Sequence, residues 1–303
     1  MLLIRNGLIH TMTDEGSYKG DILIQAGKIL RVERHMHTEG LQLQRTIDAE
    51  GLQICPGLID AHMHLVQFSD DMQRNISMLC ADALSSGVTT QAIWPEGHGS
   101  CIIRHGMDDA VIGEPMHSIQ AEDMTDAQLR EAMLEARTRG ERIACEVSNA
   151  RMLSRLLHAK QATGAQLVLA HLTGCDDMLD EVIESGCEVI LGACVLRSGN
   201  GGYAMAAKLS QAGVTVALTS DYPATRLHHL PLCTGLGVRA GMEYQAALRA
   251  ITLDAARLLQ VDDVCGSIEP GKRADMVLFD GDPLLLATAR IMTVSGGQIV
   301  QEN

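Results

Sequence analysis

An α/β protein with a parallel sheet is what this sequence predicts, and three observations carry that expectation. Apolar runs of strand length alternate with helical stretches through the middle of the chain. Glycine punctuates the helix ends at Gly87, Gly140, Gly164, Gly186 and Gly213, where a left-handed residue is tolerated. The two ends of the chain lack this rhythm and read as short β segments instead.

Taken in order, residues 1–53 form a meander of small strands, "LLIRNGLIH", "GDILIQAGKILRV" and "RTIDAEGLQI", broken by Gly and Asn. From Ile54 the pattern becomes strand, loop, helix, repeated. Runs suited to buried parallel strands lie at 54–60, 88–94, 101–104, 116–120, 142–147, 167–171, 188–193 and 214–220. Helical stretches at 71–85, 126–138, 149–163, 176–185 and 203–211 separate most of them, and 244–259 reads as a last helix. Eight strand candidates alternating with helices fit a (β/α)8 barrel, although no full helix separates 101–104 from 116–120. No Gly-x-Gly-x-x-Gly follows a first strand, which speaks against a dinucleotide-binding doubly wound sheet. After the last helix, "GSIEPGKRADMVLFDGDPL" returns to short β segments and "IMTVSGGQIVQEN" supplies one more strand. The economical arrangement has residues 1–55 and 267–303 form a small β-sandwich domain built from both termini, beside a barrel of residues 56–266.

Bulk properties narrow the function classes. With 303 residues, 46% hydrophobic and 20% charged, the chain is long enough for one large core and has the composition of a soluble globular protein. Its net charge of −14 argues against nucleic acid and anionic membranes, both of which call for basic patches. No run approaches the ~18 apolar residues of a membrane span. No signal peptide is expected, because "MLLIRNGLIHTMTDEG" turns polar too early. Nine cysteines without a C-x-x-C pair predict reduced thiols and a cytoplasmic location. Aromatic residues are only 2% of the chain, so aliphatic side chains and Met must fill the core.

The chemistry starts at "ICPGLIDAHMHL", where His62 and His64 are one residue apart. On a strand they share a face, so their neutral ring nitrogens can converge on a divalent ion. His171 and Asp221 each stand where an apolar strand gives way to polar loop residues, the catalytic end of a barrel. Each has an ordinary alternative: a strand-end His bonding a carbonyl, and a turn-capping Asp in "SDYP".

In "GLQICPGLIDAHMHL" (51–65), "SSGVTT" (85–90), "LVLAHLTG" (167–174), "GVTVALTSDYPA" (213–224) and "ITLDAARLLQVDDVCGSIEPGKRADMVLFDGDPL" (251–284), the chain resembles the amidohydrolase superfamily, most nearly its imidazolonepropionase-like branch. The resemblance implies a distorted TIM (β/α)8 barrel with a metal site at the C-terminal ends of its strands. It implies that His62, His64, His171 and Asp221 hold a divalent metal, taken as one zinc per chain, and that Asp221 also shuttles protons. The implied reaction is hydrolysis of an amide or cyclic amide C–N bond in a small molecule by metal-activated water, with Asp221 as general base and acid. A zinc-dependent deaminase of a nucleobase-like ring would use the same ligands. The family also implies a homo-oligomer, for which the sequence itself shows no interface.

The chain departs from the family at the fifth strand. "ERIACEVSNARML" places Cys145 and Val147 where histidines are expected, with Glu146 between them. Cys145 could ligate as thiolate, or Glu146 if the register shifts by one. Arg104 stands near the place of a bridging lysine, but a guanidinium stays protonated and cannot be carboxylated. That departure, with barrel loops shorter than those of a typical ~250-residue barrel, also admits a degenerate member that binds a small molecule or partner without turnover. For substrate contacts the loops offer His98, Arg104, Arg197 and Tyr222. The adjacent His228 and His229 point apart and read as solvated.

Overall fold

A computed structural model describes residues 1–67, 69–106, 108–111, 116–192 and 201–302. Strands β1 (Leu2–His10), β2 (Ser17–Gln25) and β3 (Lys28–Glu33) form the antiparallel meander expected of the N-terminus. Two short strands, β4 (Arg45–Asp48) and β5 (Gln53–Pro56), then return parallel to β1.

The run at 54–60, predicted as one strand, divides at Gly57, and β6 spans Leu58–His64. A Cβ on Gly57 would lie 2.1 Å from Thr89 Oγ1, so only glycine lets the chain pass this close to the next strand. Helix α1 (Met72–Ser85), capped by the Asp71 carboxylate on Arg74 N at 3.2 Å, leads into β7 (Val88–Trp94), parallel to β6. Next come β8 (Gly99–Ser100), β9 (Ile102–His105) and β10 (Asp108–Val111). β9 corrects the prediction of eight parallel strands, because it runs antiparallel to β7. The connection from Trp94 to Ile102 is too short for the crossover of a dozen or more residues that a parallel neighbour needs.

From β11 (Met116–Ser118) the alternation is regular: α2 (Asp126–Arg139), β12 (Arg142–Glu146), α3 (Ala150–Thr163), β13 (Leu167–Ala170), α4 (Leu179–Ser185), β14 (Glu188–Gly192), α5 (Gly201–Gln211) and β15 (Val216–Thr219). These five strands are parallel throughout. A capping box between Thr125 and Gln128 starts α2, and Gly140 and Gly164 in left-handed conformation end α2 and α3. Two sheets result, ordered β10-β9-β7-β6 and β15-β14-β13-β12-β11-β8. They meet where Met63 of β6 bridges Tyr222 beyond β15. The architecture is TIM-barrel-like α/β.

Helices α6 (Leu230–Arg239), α7 (Tyr244–Ala250) and α8 (Leu253–Leu258) follow. The single helix expected at 244–259 is broken between the last two. The carbonyl of Ile251 accepts from Ile59 N at 2.8 Å, so the break supplies a partner for the first barrel strand. Likewise the stretch 176–185 begins as a 3-10 turn before α4. Strand β16 (Met276–Phe279) pairs with β5, and the tail is a hairpin of β17 (Arg290–Ser295) and β18 (Gln298–Glu302) rather than one strand. Strands from both termini thus share one eight-stranded mixed sheet.

Small residues fill the space between the barrel strands. Ala61, Ala92, Ala144, Ala170 and Ala217 cluster there with Ile59, Val168, Ile190 and Trp94. Larger aliphatic and Met side chains fill the layer between strands and helices. Among the described residues no helix is long and apolar enough to cross a membrane.

Candidate metal centre

The C-terminal ends of four strands bring ionisable side chains together. Asp60, His62 and His64 alternate along β6, Glu146 ends β12, His171 follows β13, and Asp221 lies two residues beyond β15. His171, Leu172 and Asp221 have φ of 70°, 50° and 55°, a left-handed conformation that non-glycine residues adopt at a cost of order 1–3 kcal/mol. Hydrogen bonds hold them there: His171 N donates to Ile190 O and Asp221 N to Thr219 Oγ1, both at 2.9 Å.

The convergence is close. His62 Nε2 lies 3.2 Å from Glu146 Oε1, and His64 Nε2 lies 3.4 Å from the same oxygen. His62 Nδ1 is 3.2 Å from Asp221 Oδ1, which is 3.7 Å from His171 Nε2. Two sets, His62 with His64 and Asp221, and His62 with Glu146 and His171, each have ligand atoms within 4.8 Å of one another. His62 is fully buried, and the Trp94 ring packs 4.3 Å from its centroid while the indole N–H donates to Ala61 O at 3.0 Å.

Electrostatics follow from burial and pairing. Burial is the largest influence on His62 and acts downward, but Asp221 and Glu146 together hold its pKa above the ordinary imidazole value. Burial, helped by the neighbouring His62, pushes His171 down to about 4, so it stays neutral and free to act as a ligand. Hydrogen bonding to His62 and His64 holds the Glu146 carboxyl far below the usual range, so it stays ionised.

The donor set suits a divalent cation of zinc type, with three imidazoles and two carboxylates in reach of one another. Two observations support the fit. The buried His62 Nδ1 and His171 Nδ1 have no hydrogen-bond partner, Asp221 lying near the first without hydrogen-bond geometry. Buried polar atoms are ordinarily satisfied, so open ring nitrogens within a convergence of three imidazoles and two carboxylates fit a positive ion.

The structure thus brings His62, His64, His171, Asp221 and Glu146 together. It does not bring Cys145, whose side chain joins the apolar layer under the helices and whose thiol burial pushes up to about 11. Strand alternation is the reason: Ala144 and Glu146 face the interior, and Cys145 faces away. Arg104 is buried on β9 opposite Gln91, level with Asp60 rather than with His64. His98 is exposed, and its Nδ1 accepts from Gln120 N at 3.4 Å. Tyr222 is half-buried beside Asp221, and its carbonyl accepts from His64 N at 2.7 Å. Arg197 lies outside the described residues.

Sequence reasoning passed over Asp60. Its buried carboxyl accepts from Ser220 Oγ at 2.6 Å and from Ser220 N at 3.1 Å, and it contacts the Thr219 hydroxyl. Thr219 Oγ1 in turn bonds His62 O at 2.6 Å and receives Asp221 N. Asp60 therefore ties the strand bearing His62 and His64 to the turn bearing Asp221. Its signal was present in "DAHMH", where the carboxylate continues the alternation of the two histidines.

Comparison with known proteins bears on this geometry. Residues 121–301 match the family model described as Amidohydrolase family. Adenine deaminase 2 of Rhizobium johnstonii is 29% identical over 321 aligned positions that cover 85% of this chain and 50% of that protein. Imidazolonepropionase of Picrophilus torridus is 31% identical over 109 positions, 35% of this chain and 28% of that one. This chain thus spans half or less of the length of these curated relatives. A solved structure of an amidohydrolase from Thermotoga maritima superposes with a TM-score of 0.84 at 19% identity over the whole of both chains, a likeness of fold.

Proposed function

The chain belongs to the amidohydrolase family, and from that premise we propose a metal-dependent hydrolase of non-peptide C–N bonds in a small molecule. One observation carries the reading: three imidazoles and two carboxylates converge at the strand ends while two buried ring nitrogens lack hydrogen-bond partners. His62, His64, His171 and Asp221 would hold one zinc ion, and Glu146 would take the place of the fifth-strand histidine. When bound, such an ion supplies Lewis acidity and brings the ionisation of water from ~15.7 to about 7. Asp221 accepts the proton that water loses and returns it to the leaving nitrogen as the C–N bond breaks. Trp94 shields the buried side of His62, and Asp60 keeps the histidine pair and Asp221 in register.

A deaminase of an amino-substituted ring is a second reading of the same machinery. It is favoured by the alignment with adenine deaminase 2, which runs over 85% of this chain. The experiment that separates the two measures ring opening against ammonia release on cyclic amides and aminopurines, with metal content determined on the same preparation. About one zinc per chain, and turnover abolished in His62→Ala and Asp221→Asn, is the expected result. Full activity after chelation would sink the hydrolase, and a metal-free, inert wild type would make the protein a non-catalytic binder.

A further inference from the structure

The loops described after β6, β7, β11 and β13, on the metal side of the barrel, carry more acidic than basic side chains. After β6 come Asp70 and Asp71, after β7 Glu96, after β11 Glu122 and Asp123, and after β13 Asp176 and Asp177; all seven are exposed. Among the described residues of these loops and the one after β15, Arg226 is the one Arg or Lys, with His98, His228 and His229 as further histidines outside the metal cluster. Arg155, which reaches the loop after β11 from α3, is committed elsewhere. Its Nε pairs with Asp126 at 2.7 Å, and its Nη1 holds Ala121 O at 3.0 Å. Glu122 accepts from Ser148, two residues beyond Glu146 at the end of β12.

Resting on the hydrolase reading above, we infer that the site takes a neutral or cationic substrate, an amino-substituted or amidine-like ring, and disfavours one bearing a carboxylate. The physical reason is focusing: a concave site rimmed by one sign of charge raises the local concentration of the opposite sign. A carboxylate within about 10 Å of a bound ligand acts inside one screening length at ~0.1 M salt. Of the described guanidiniums, Arg104 lies below the ligands, level with Asp60, which leaves Arg226 on the rim for an anionic substrate to meet. Among the chemistries of the relatives, this favours an aminopurine over imidazolonepropionate.

The test uses the single tryptophan, Trp94, packed on His62, so that ligand entry is read from its emission. Benzamidinium and benzoate, of like shape and opposite charge, are titrated into the zinc-loaded protein at low and at 0.3 M salt (roughly a sixth of the low-salt Debye length at 0.01 M). The same is done with Glu96→Gln/Asp176→Asn/Asp177→Asn, none of which is a proposed ligand. Coordination of benzoate to the ion is common to both proteins and cancels in the comparison. The expected result is tighter binding of benzamidinium, weakened by salt, with benzoate strengthened by salt, and a gap narrowed by about threefold or more in the triple variant. A gap that neither salt nor the variant moves would overturn the inference, as would a higher kcat/KM for imidazolonepropionate than for adenine. The hydrolase reading fails separately, by turnover that survives chelation, while the Trp94 titrations still report the charge preference.

Discussion

Two buried clusters of histidine and carboxylate lie at opposite ends of β6 and β7, and they are built on different principles. At the lower end His105 sits between one hydroxyl and one carboxylate: Nδ1 meets Thr90 Oγ1 at 2.7 Å, and Nε2 contacts Asp275 of the terminal sheet. Asp275 also accepts Gly296 N at 2.7 Å and lies 3.6 Å from Arg273 Nε. These groups pair one with another, His105 Nε2 and Asp275 meeting outside hydrogen-bond geometry just as His62 Nδ1 and Asp221 do, and the assembly links the barrel to the sheet made from both termini. At the upper end three imidazoles share two carboxylates at the ends of four strands. One imidazole against one carboxylate makes a latch, whereas three imidazoles converging on two carboxylates make a candidate place for an ion. Residue type is the same in both; stoichiometry and mutual geometry separate them.

The sharpest way to break this contrast is to remove one imidazole from each end. His62→Ala should abolish bound zinc and lower turnover by more than about a thousandfold. Chelation should lower the melting temperature of the wild type and leave that of His62→Ala unmoved; a calorimetric scan with and without chelator checks this. His105→Ala should do the reverse, costing about 3–5 kcal/mol of stability by removing one partner of the buried His105–Asp275 pair while zinc per chain is unchanged. Zinc lost from His105→Ala that still folds, as judged by circular dichroism, would erase the distinction.

Asp60→Asn falls between the two, because Asp60 bonds like the latch yet serves the upper cluster. A weakening of zinc affinity by about 10- to 100-fold is expected, measured by competition with a chromophoric chelator, with only a modest loss of stability. The smallest effect separates neighbours on one strand. Glu146→Gln should weaken zinc binding by about tenfold, whereas Cys145→Ala should leave affinity unaltered and be felt only as a small cavity cost in denaturant unfolding. Equal losses of zinc in both would put the thiol back among the ligands.

Much of this was legible from the chain alone, and particular residues show why. The alternation of His62 and His64 follows from the two-residue period of a strand, and the positions of His171 and Asp221 follow from where apolar runs stop. Local periodicity could not tell that β9 turns back along β7, since direction depends on whether a connection is long enough to cross over. Nor could it choose between Cys145 and Glu146, because one residue of register exchanges the two faces of a strand.

The sequence by itself determined the class of fold, the two histidines on one face and the acidic balance of the chain. These are properties of spacing and composition, which the chain carries whatever its neighbours do. Only the tertiary structure decided that Glu146 joins the histidines, that Arg104 lies below them and that Asp60 binds β6 to the turn of Asp221. Each of those depends on which strands lie side by side and at what stagger, and pairing is settled by packing across the whole barrel rather than along any one segment.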